Sequence, residues 1–173
     1  MAKTSKRETA PRLEADRQDR GSKRRKETSR PKTVLVFGVF DLLHPGHVFF
    51  LEQARSHGER LVVIVTRDER ALEGKGRRPV FSLEERLKLV GSLQAVDLAE
   101  AGDRPGEWTA ILRHKPNVIC IGHDQTADHP KIRQQIESIT PKPQILRLPT
   151  YGDGELSSSA IRRRLLDETA GSE

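Results

Sequence analysis

Five short apolar runs constrain the fold of this chain most, because they alternate with stretches that carry apolar residues three or four positions apart. The runs are TVLVFGV (33–39), RLVVIVT (60–66), AVDLAE (95–100), PNVICIG (116–122) and PQILRLP (143–149). Such runs are typical of strands buried on both faces, and the stretches between them are typical of amphipathic helices. The pattern predicts an α/β domain with a Rossmann-like, doubly wound, parallel five-stranded sheet.

The helical stretches carry their own start and stop signals. They are HVFFLEQARSHG, SLEERLKLVGSL, EWTAILRHK and KIRQQIESI. Ser82, three residues before Glu85, predicts a capping box, and Gly58 predicts the end of the first helix. A last helix, AIRRRLLDE, is predicted directly after a run of three serines.

The formal charge of +6 is unevenly distributed along the chain. Residues 1–32 hold twelve Lys or Arg and five Asp or Glu, a net of +7, so the remaining residues carry a net of −1. This basic segment has one leucine as its only sizeable apolar side chain, too little to offset the entropy cost of ordering. We therefore expect a disordered basic tail at 1–32, a folded domain at 33–168 and a flexible C-terminus at 169–173. A solvated arm is favoured for the tail over contact with nucleic acid.

Cysteine content and hydropathy bear on the compartment. The single cysteine, Cys120, excludes an internal disulfide, and no apolar run approaches the roughly 20 residues that a membrane span needs. We expect a cytoplasmic protein without a membrane partner.

Two histidines stand directly after the first predicted strand, in GVFDLLHPGH. His44 and His47 are three residues apart at the start of a helix, so their side chains should share one face. The unpaired N–H groups and the helix dipole there favour an anion. Pro45 suits a first turn, Gly46 allows a tight entry into the helix, and Gly38 leaves room for a ligand near the main chain. We predict that this corner binds the phosphates of a nucleotide.

Other interpretations of the histidines compete with this one. An H-x-x-H pair also occurs in zinc sites, where Cys120, Asp124 or another distant group would have to supply a third ligand. One histidine alone would usually cap the helix. Alternative phosphate-binding motifs are missing, since GKG (74–76) lacks the spacing of a P-loop and no G-x-G-x-x-G follows the first strand.

GVFDLLHPGH resembles the G-x-F-D-x-x-H-x-G-H signature of the nucleotidyltransferase superfamily that includes cytidylyltransferases and small adenylyltransferases. The resemblance extends from about Thr33 to Leu166. It implies that His44 and His47 bind and stabilise the reacting phosphates of a nucleoside triphosphate. It also implies that the substrate is ATP together with Mg²⁺ or another divalent cation. A homodimer is a further expectation, because members of the superfamily are often dimers.

The segment GKGRRPVFSLEERLKLVGSLQAVD (74–97) is similar to the basic loop and following helix of that superfamily. By this resemblance Lys75, Arg77 and Arg78 bind the acceptor or the triphosphate, and Lys75 and Arg86 take part in catalysis, with Arg86 reaching the nucleotide. From the residues alone, the loop also fits a solvated basic turn, and Arg86 a surface ion pair with an adjacent glutamate.

VICIGHDQTAD (118–128) is similar to the G-x-D-Q stretch of archaeal-type FAD synthases, the FMN adenylyltransferases, and SSSAIR (157–162) resembles the helix start of many adenylyltransferases. Asp124 would then bind the nucleoside, although an aspartate after a strand also fits a turn. The three serines would bind phosphates, although an ordinary N-cap would need only one of them. Val39 departs from the pattern, since many relatives carry Thr there. The nucleotide-binding residues implied by the resemblance are Gly38, Val39, Phe40, Asp41, His44, Pro45, Gly46, His47, Arg86, Gly122, Asp124, Gln125, Ser157, Ser158, Ser159 and Arg162.

The expected reaction is the transfer of AMP from ATP to a phosphate-bearing acceptor with release of pyrophosphate. FMN giving FAD is the leading pair. The alternatives are a CTP-dependent cytidylyltransferase acting on glycerol-3-phosphate or a similar polyol phosphate, an adenylyltransferase of the ADP-heptose synthase type, and a nucleotide- or RNA-binding module without turnover.

Overall fold

The computed structural model describes residues 30–123, 125 and 129–170, without the side chains of residues 75, 169 and 170. The expected basic tail and flexible C-terminus lie almost entirely outside these residues, so both stay predictions.

Five parallel strands form a single sheet in the order β3-β2-β1-β4-β5. Each strand overlaps one of the predicted apolar runs, so the predicted five-stranded parallel sheet is confirmed. The strands are β1 (Thr33–Gly38), β2 (Arg60–Val65), β3 (Leu98–Ala101), β4 (Val118–Ile121) and β5 (Gln144–Arg147).

Six helices connect or follow the strands in the described part of the chain. The second one was not predicted: acidic Asp68 and Glu69 occupy its first turn, and it ends at Gly76, whose φ is +67°. The helices are α1 (Pro45–Arg55), α2 (Asp68–Lys75), α3 (Leu83–Gly91), α4 (Ala110–His114), α5 (Pro130–Ser138) and α6 (Ser158–Ala170).

The predicted helix signals have mixed outcomes. Pro45 is the first residue of α1, and the Ser82–Glu85 capping box is present in both directions. Gly58 does not end α1, which stops at Arg55. A side chain at Gly58 would instead place its Cβ 2.5 Å from the carbonyl oxygen of Lys32, so this glycine allows a close backbone approach.

Apolar residues cover both faces of the sheet. On one face Val34, Val36 and Val63 pack with Leu51 of α1 and Val90 of α3. The other face buries a second cluster against α4 and α5, and its members include Leu35, Val62, Ile64, Ile111 and Ile119. Adjacent residues of β1 thus enter opposite cores, as expected for a strand buried on both faces, and the doubly wound arrangement is confirmed.

The order of the strands determines where a ligand can enter. The chain leaves β1 for β2 on one side and reaches β4 on the other, so the loops after β1 and β4 diverge and leave a crevice at the carboxyl edge of the sheet. Among the described residues, no helix is long and apolar enough to cross a membrane.

Candidate active site

A cavity of about 330 Å³ opens at this crevice. Four segments line it: the corner between β1 and α1, the basic residues after α2, the exit of β4, and the stretch from Pro149 to the start of α6. The cavity brings together most of the predicted site residues, namely Gly38, Val39, Phe40, Asp41, His44, Gly46, His47, Arg77, Arg78, Gly122, Gln125, Ser157, Ser158, Ser159 and Arg162.

Two predicted residues whose side chains the structure describes, Pro45 and Arg86, are not among those that line the cavity. Pro45 is the first residue of α1, and Arg86 is fully buried inside the fold. Lys75 is the last residue of α2 rather than part of a loop, and its side chain is outside the described part of the chain. Asp124 lies outside the described residues.

The backbone of the corner between β1 and α1 adopts a strained conformation. Phe40 and Leu42 have φ values of 52° and 45°, in the left-handed region that side chains other than glycine rarely adopt. The Phe40 ring folds back over Gly38, where a Cβ would lie 2.6 Å from it. The space over Gly38 that we expected a ligand to use is therefore filled by this ring. Such strain persists only where surrounding contacts hold it in place.

His44 and His47 stack on each other at the start of α1. Their ring centroids are 3.9 Å apart with an interplanar angle of 27°, as their spacing predicted. His44 occupies the N-cap position, yet its side chain makes no capping hydrogen bond, so the helix-capping alternative is wrong for this residue. Its buried Nδ1 lies beside Gly46, where a Cβ would be 3.0 Å away, and has no hydrogen-bond partner in the described part of the chain.

Burial affects the charge of this histidine. The His44 side chain is in a residue only 9% exposed, and desolvation lowers its pKa below the usual 6.5. The ring is therefore neutral at pH 7 in the free protein. Because the unfolded chain binds a proton more readily than the folded one, this group reduces stability as the pH falls below 6.5 towards its folded pKa.

Arg86 joins the corner to the neighbouring segments from inside the fold. It is 0% exposed, and its Nη1 donates to the carbonyl oxygens of Val39 and Thr66 at 2.7 and 2.8 Å. Its Nε donates to Phe81, and its Nη2 pairs with Asp68. The alternative prediction of a surface ion pair between Arg86 and Glu84 or Glu85 is therefore wrong. The predicted contact of Arg86 with the nucleotide is not seen either, because the guanidinium is bonded to protein groups instead of facing the cavity.

Asp41 ties three cavity walls together. Its carboxylate accepts hydrogen bonds from the backbone N–H groups of Val80 and Phe81 at 2.9–3.0 Å and from Arg162 Nη2 at 3.0 Å. Its carbonyl oxygen accepts one from the Ser158 hydroxyl. The corner, the basic segment and the start of α6 thus share one acceptor residue.

Each of the three serines has a different partner. The Ser157 Oγ accepts from the Ala160 N–H and caps α6, while Ser158 donates to Asp41. Ser159 accepts from Arg77 Nη2. Ser158 and Ser159, which are not needed as the N-cap, therefore hold neighbouring segments in place.

Gln125 performs a similar joining role at the β4 exit. Its Nε2 donates to the carbonyl oxygen of Phe37, and its Oε1 accepts from the Gly122 N–H, both at 3.0 Å. Arg147 Nη1 donates to the carbonyl oxygens of Gly122, His123 and Gln125. The exits of β1 and β4 are thereby fixed at the distance that sets the cavity's width.

Metal-ligating side chains do not cluster in the described part of the chain, where no three His, Cys, Asp or Glu residues come together. Cys120, one candidate third zinc ligand, is buried in the core, where desolvation raises the pKa of its thiol to about 11. Its neighbours there are apolar side chains of the core, which supply no further metal ligands.

Sequence reasoning missed ten residues that line the cavity, several of them apolar or aromatic. A signal for one was available, since Tyr151, the only tyrosine of the chain, lies six positions before the serine run that begins at Ser157. The missed residues are Phe37, Phe50, Ala71, Pro79, His123, Pro149, Thr150, Tyr151, Gly154 and Leu156.

Charge in the cavity favours an anionic ligand. Arg77, Arg78 and Arg162 line it, and Asp41 is the single acid among the lining residues that the structure describes. Paired imidazoles at a helix start, facing three arginines at the switch point of a Rossmann-like sheet, define the class of α/β proteins that bind nucleotide phosphates.

Comparison with known proteins gives the family within that class. A cytidylyltransferase-like family model matches residues 35–164, and the chain belongs to this family. It is 35% identical to the FAD synthase of Thermoplasma acidophilum, over 80% of this chain and 96% of that protein. It is 37% identical to the FAD synthase of Pyrococcus abyssi, over 78% of this chain and 92% of that protein. Among solved structures, the lipopolysaccharide core biosynthesis protein of Thermoplasma volcanium superposes with a TM-score of 0.64 at 32% identity, covering 71% of this chain and 100% of that one.

Proposed function

We propose that this protein is an FMN adenylyltransferase, which transfers AMP from ATP to FMN, releases pyrophosphate and so forms FAD. Relatives named FAD synthase, matched over nearly their whole length, support this acceptor and this nucleotide. The structural observation that carries the proposal is the His44–His47 stack at the start of α1, inside a cavity lined by arginines.

The reaction needs no proton transfer to start. A phosphate oxygen of FMN, already anionic, attacks the α-phosphorus of ATP. One P–O bond forms there, and the bond from that phosphorus to the bridging oxygen of pyrophosphate breaks. Positioning and neutralisation of developing charge therefore carry the rate.

The proposed roles follow from the contacts of each side chain. Because Nδ1 of His44 is buried beside Gly46, we assign its Nε2 to the α-phosphate region, together with His47. Arg77, Arg78 and Arg162 neutralise the remaining phosphates. The roles of Lys75 towards the acceptor and of Asp124 towards the nucleoside stay predictions.

Arg86 and Asp41 act differently from the catalytic groups in this proposal. Their hydrogen bonds go to the protein, so we give them positioning roles in place of direct nucleotide contact. The same reasoning applies to Gln125 and to the hydroxyl groups of the three serines.

We write the divalent cation as part of the substrate, Mg-ATP. The carboxylate of Asp41, the acid among the described lining residues, is taken up by Val80, Phe81 and Arg162, so the triphosphate supplies the better ligands. We also propose a cytoplasmic location, which the single cysteine of the chain supports. A homodimer and contact between the tail and nucleic acid remain predictions.

Incubation with Mg²⁺, one triphosphate and one acceptor, with pyrophosphate release followed and products identified by mass, tests the proposal. We expect FAD from ATP and FMN. A preference for CTP with glycerol-3-phosphate would contradict the proposal and indicate a cytidylyltransferase. A preference for ATP with a heptose phosphate would show that the acceptor is a heptose phosphate and not FMN. Salt-sensitive RNA binding through residues 1–32 without any turnover would support the binding-module alternative instead.

A further inference from the structure

The aromatic residues of this chain are concentrated at the cavity. The whole sequence has only seven Phe, Trp and Tyr residues. Four of them line the cavity, namely Phe37, Phe40, Phe50 and Tyr151, and Phe49 contacts Tyr151. Phe37 and Phe40 belong to the β1 exit, whereas the other three lie together on the side formed by α1 and the loop before α6.

Tyr151 is the exposed member of that group. It remains 46% exposed, and its ring centroid lies 5.7 Å from that of Phe49 at an interplanar angle of 57°. An aromatic ring left half in water, but supported from α1 by another ring, offers a flat face at the edge of the cavity.

The backbone holds Tyr151 in place. It begins a turn in which the Gly154 N–H donates to the Tyr151 carbonyl oxygen at 3.2 Å, and Gly152 and Gly154 take positive φ values of 57° and 83°. Leu156, in the same loop, passes close to Gly46 at the start of α1. The loop that carries Tyr151 therefore passes the start of α1, where the paired histidines lie.

Both charged and apolar side chains line the cavity. Three arginines and the imidazoles suit phosphates, while Phe50, Pro149, Tyr151 and Leu156 add apolar surface. A nucleotide likewise combines an anionic chain with a planar ring. Stacking on an aromatic side chain is the usual way in which proteins hold such a ring without reading its edge.

We propose that Tyr151, supported by Phe49, is a substrate-binding residue on which the planar heteroaromatic ring of a substrate stacks. The inference rests on the proposed function, because the proposed substrates supply the two candidate rings. These are the adenine of ATP and the isoalloxazine of FMN.

Equilibrium dialysis of Mg-ATP and of FMN, separately, against wild type, Tyr151→Ala and Tyr151→Phe tests the proposal. We expect Tyr151→Ala to weaken the binding of one of the two by about 5- to 150-fold, and Tyr151→Phe, which keeps the ring, to retain most of the affinity. Loss for ATP alone assigns the ring to adenine, and loss for FMN alone assigns it to the flavin. Unchanged binding of both to Tyr151→Ala would overturn the inference.

Kinetics separate stacking from a general structural effect. In FAD formation, Tyr151→Ala should raise the KM of the stacked substrate with little change in kcat, while Leu165→Ala, on the exposed part of α6, controls for loss of an apolar surface side chain. A fall in kcat with unchanged KM values would contradict the proposal. If wild type makes no FAD, the proposed function fails, but the dialysis result still decides the role of Tyr151.

Discussion

Arg86 and His44 are both buried polar side chains at the same corner, yet their surroundings are opposite. Every branch of the Arg86 guanidinium is bonded to the protein, through three carbonyl oxygens and Asp68. The His44 ring makes no hydrogen bond that the described residues supply, and it contacts the protein by stacking and packing. The first arrangement fixes the backbone, and the second leaves a ring nitrogen for a ligand.

The contrast explains how a strained loop can carry a binding site. Phe40 and Leu42 hold unfavourable φ values, a cost of order 1–3 kcal/mol each. Arg86 holds the preceding carbonyl of Val39, and Asp41 is held from two further segments. These hydrogen-bonded groups thus offset the strain of the corner from which His44 reaches the cavity.

Arg86→Ala should have the largest effect on the fold. Removing the guanidinium leaves three partly buried carbonyl oxygens and Asp68 without their partner, which should lower the free energy of unfolding by about 3–5 kcal/mol. Urea denaturation measures this, with the exposed Arg163→Ala as the matched control. An unchanged unfolding midpoint would remove the structural role assigned to Arg86.

His44→Ala should show the reverse pattern. Pyrophosphate release should fall by about 100- to 1000-fold, because one donor to the reacting phosphate is lost. The free energy of unfolding should change by no more than about 1.5 kcal/mol, the value of the lost ring stack. His57→Ala, beyond the other end of α1, controls for loss of an imidazole. Equal losses of stability in the Arg86 and His44 variants would erase the distinction drawn between them.

Asp41→Asn tests an intermediate case, a bonded group that lines the cavity. The amide keeps one acceptor oxygen for the Val80 and Phe81 N–H groups, but its NH₂ group cannot accept from Arg162 Nη2 as the carboxylate Oδ2 does, so the free energy of unfolding should fall by about 1–3 kcal/mol. The KM for ATP should rise with it, since Arg162 loses its anchor. Asp167→Asn on α6 is the control, and wild-type values for both quantities would contradict the positioning role.

The smallest expected effect is on the pH dependence of ATP binding. Burial lowers the pKa of His44 in the free protein, whereas a bound phosphate favours the charged ring, so binding should take up a proton. Affinity should therefore rise severalfold between about pH 8 and about pH 6. Titration calorimetry of wild type against His44→Asn isolates this contribution. Identical pH profiles for the two proteins would exclude it.

Local patterns predicted the strands, the capping box and the shared face of His44 and His47, because each depends on residues close together in the chain. Helix α2 escaped because DERALEGK has too few apolar residues to show helical periodicity. The hydrogen-bond partners of Arg86 and of the serines could not be predicted for a different reason. Arg86 bonds to Val39, 47 residues away, and Ser158 bonds to Asp41, 117 residues away, and only the folded topology brings such groups together.

The most direct test of the account is the titration of the His44 imidazole by ¹⁵N NMR, with and without Mg-ATP, using His44→Asn to assign its signals. The account predicts a pKa below 6.5 in the free protein that rises when Mg-ATP binds, together with a changed shift at Nε2. A His44 titration that is the same in the free and the ATP-bound protein would show that this ring does not meet the nucleotide.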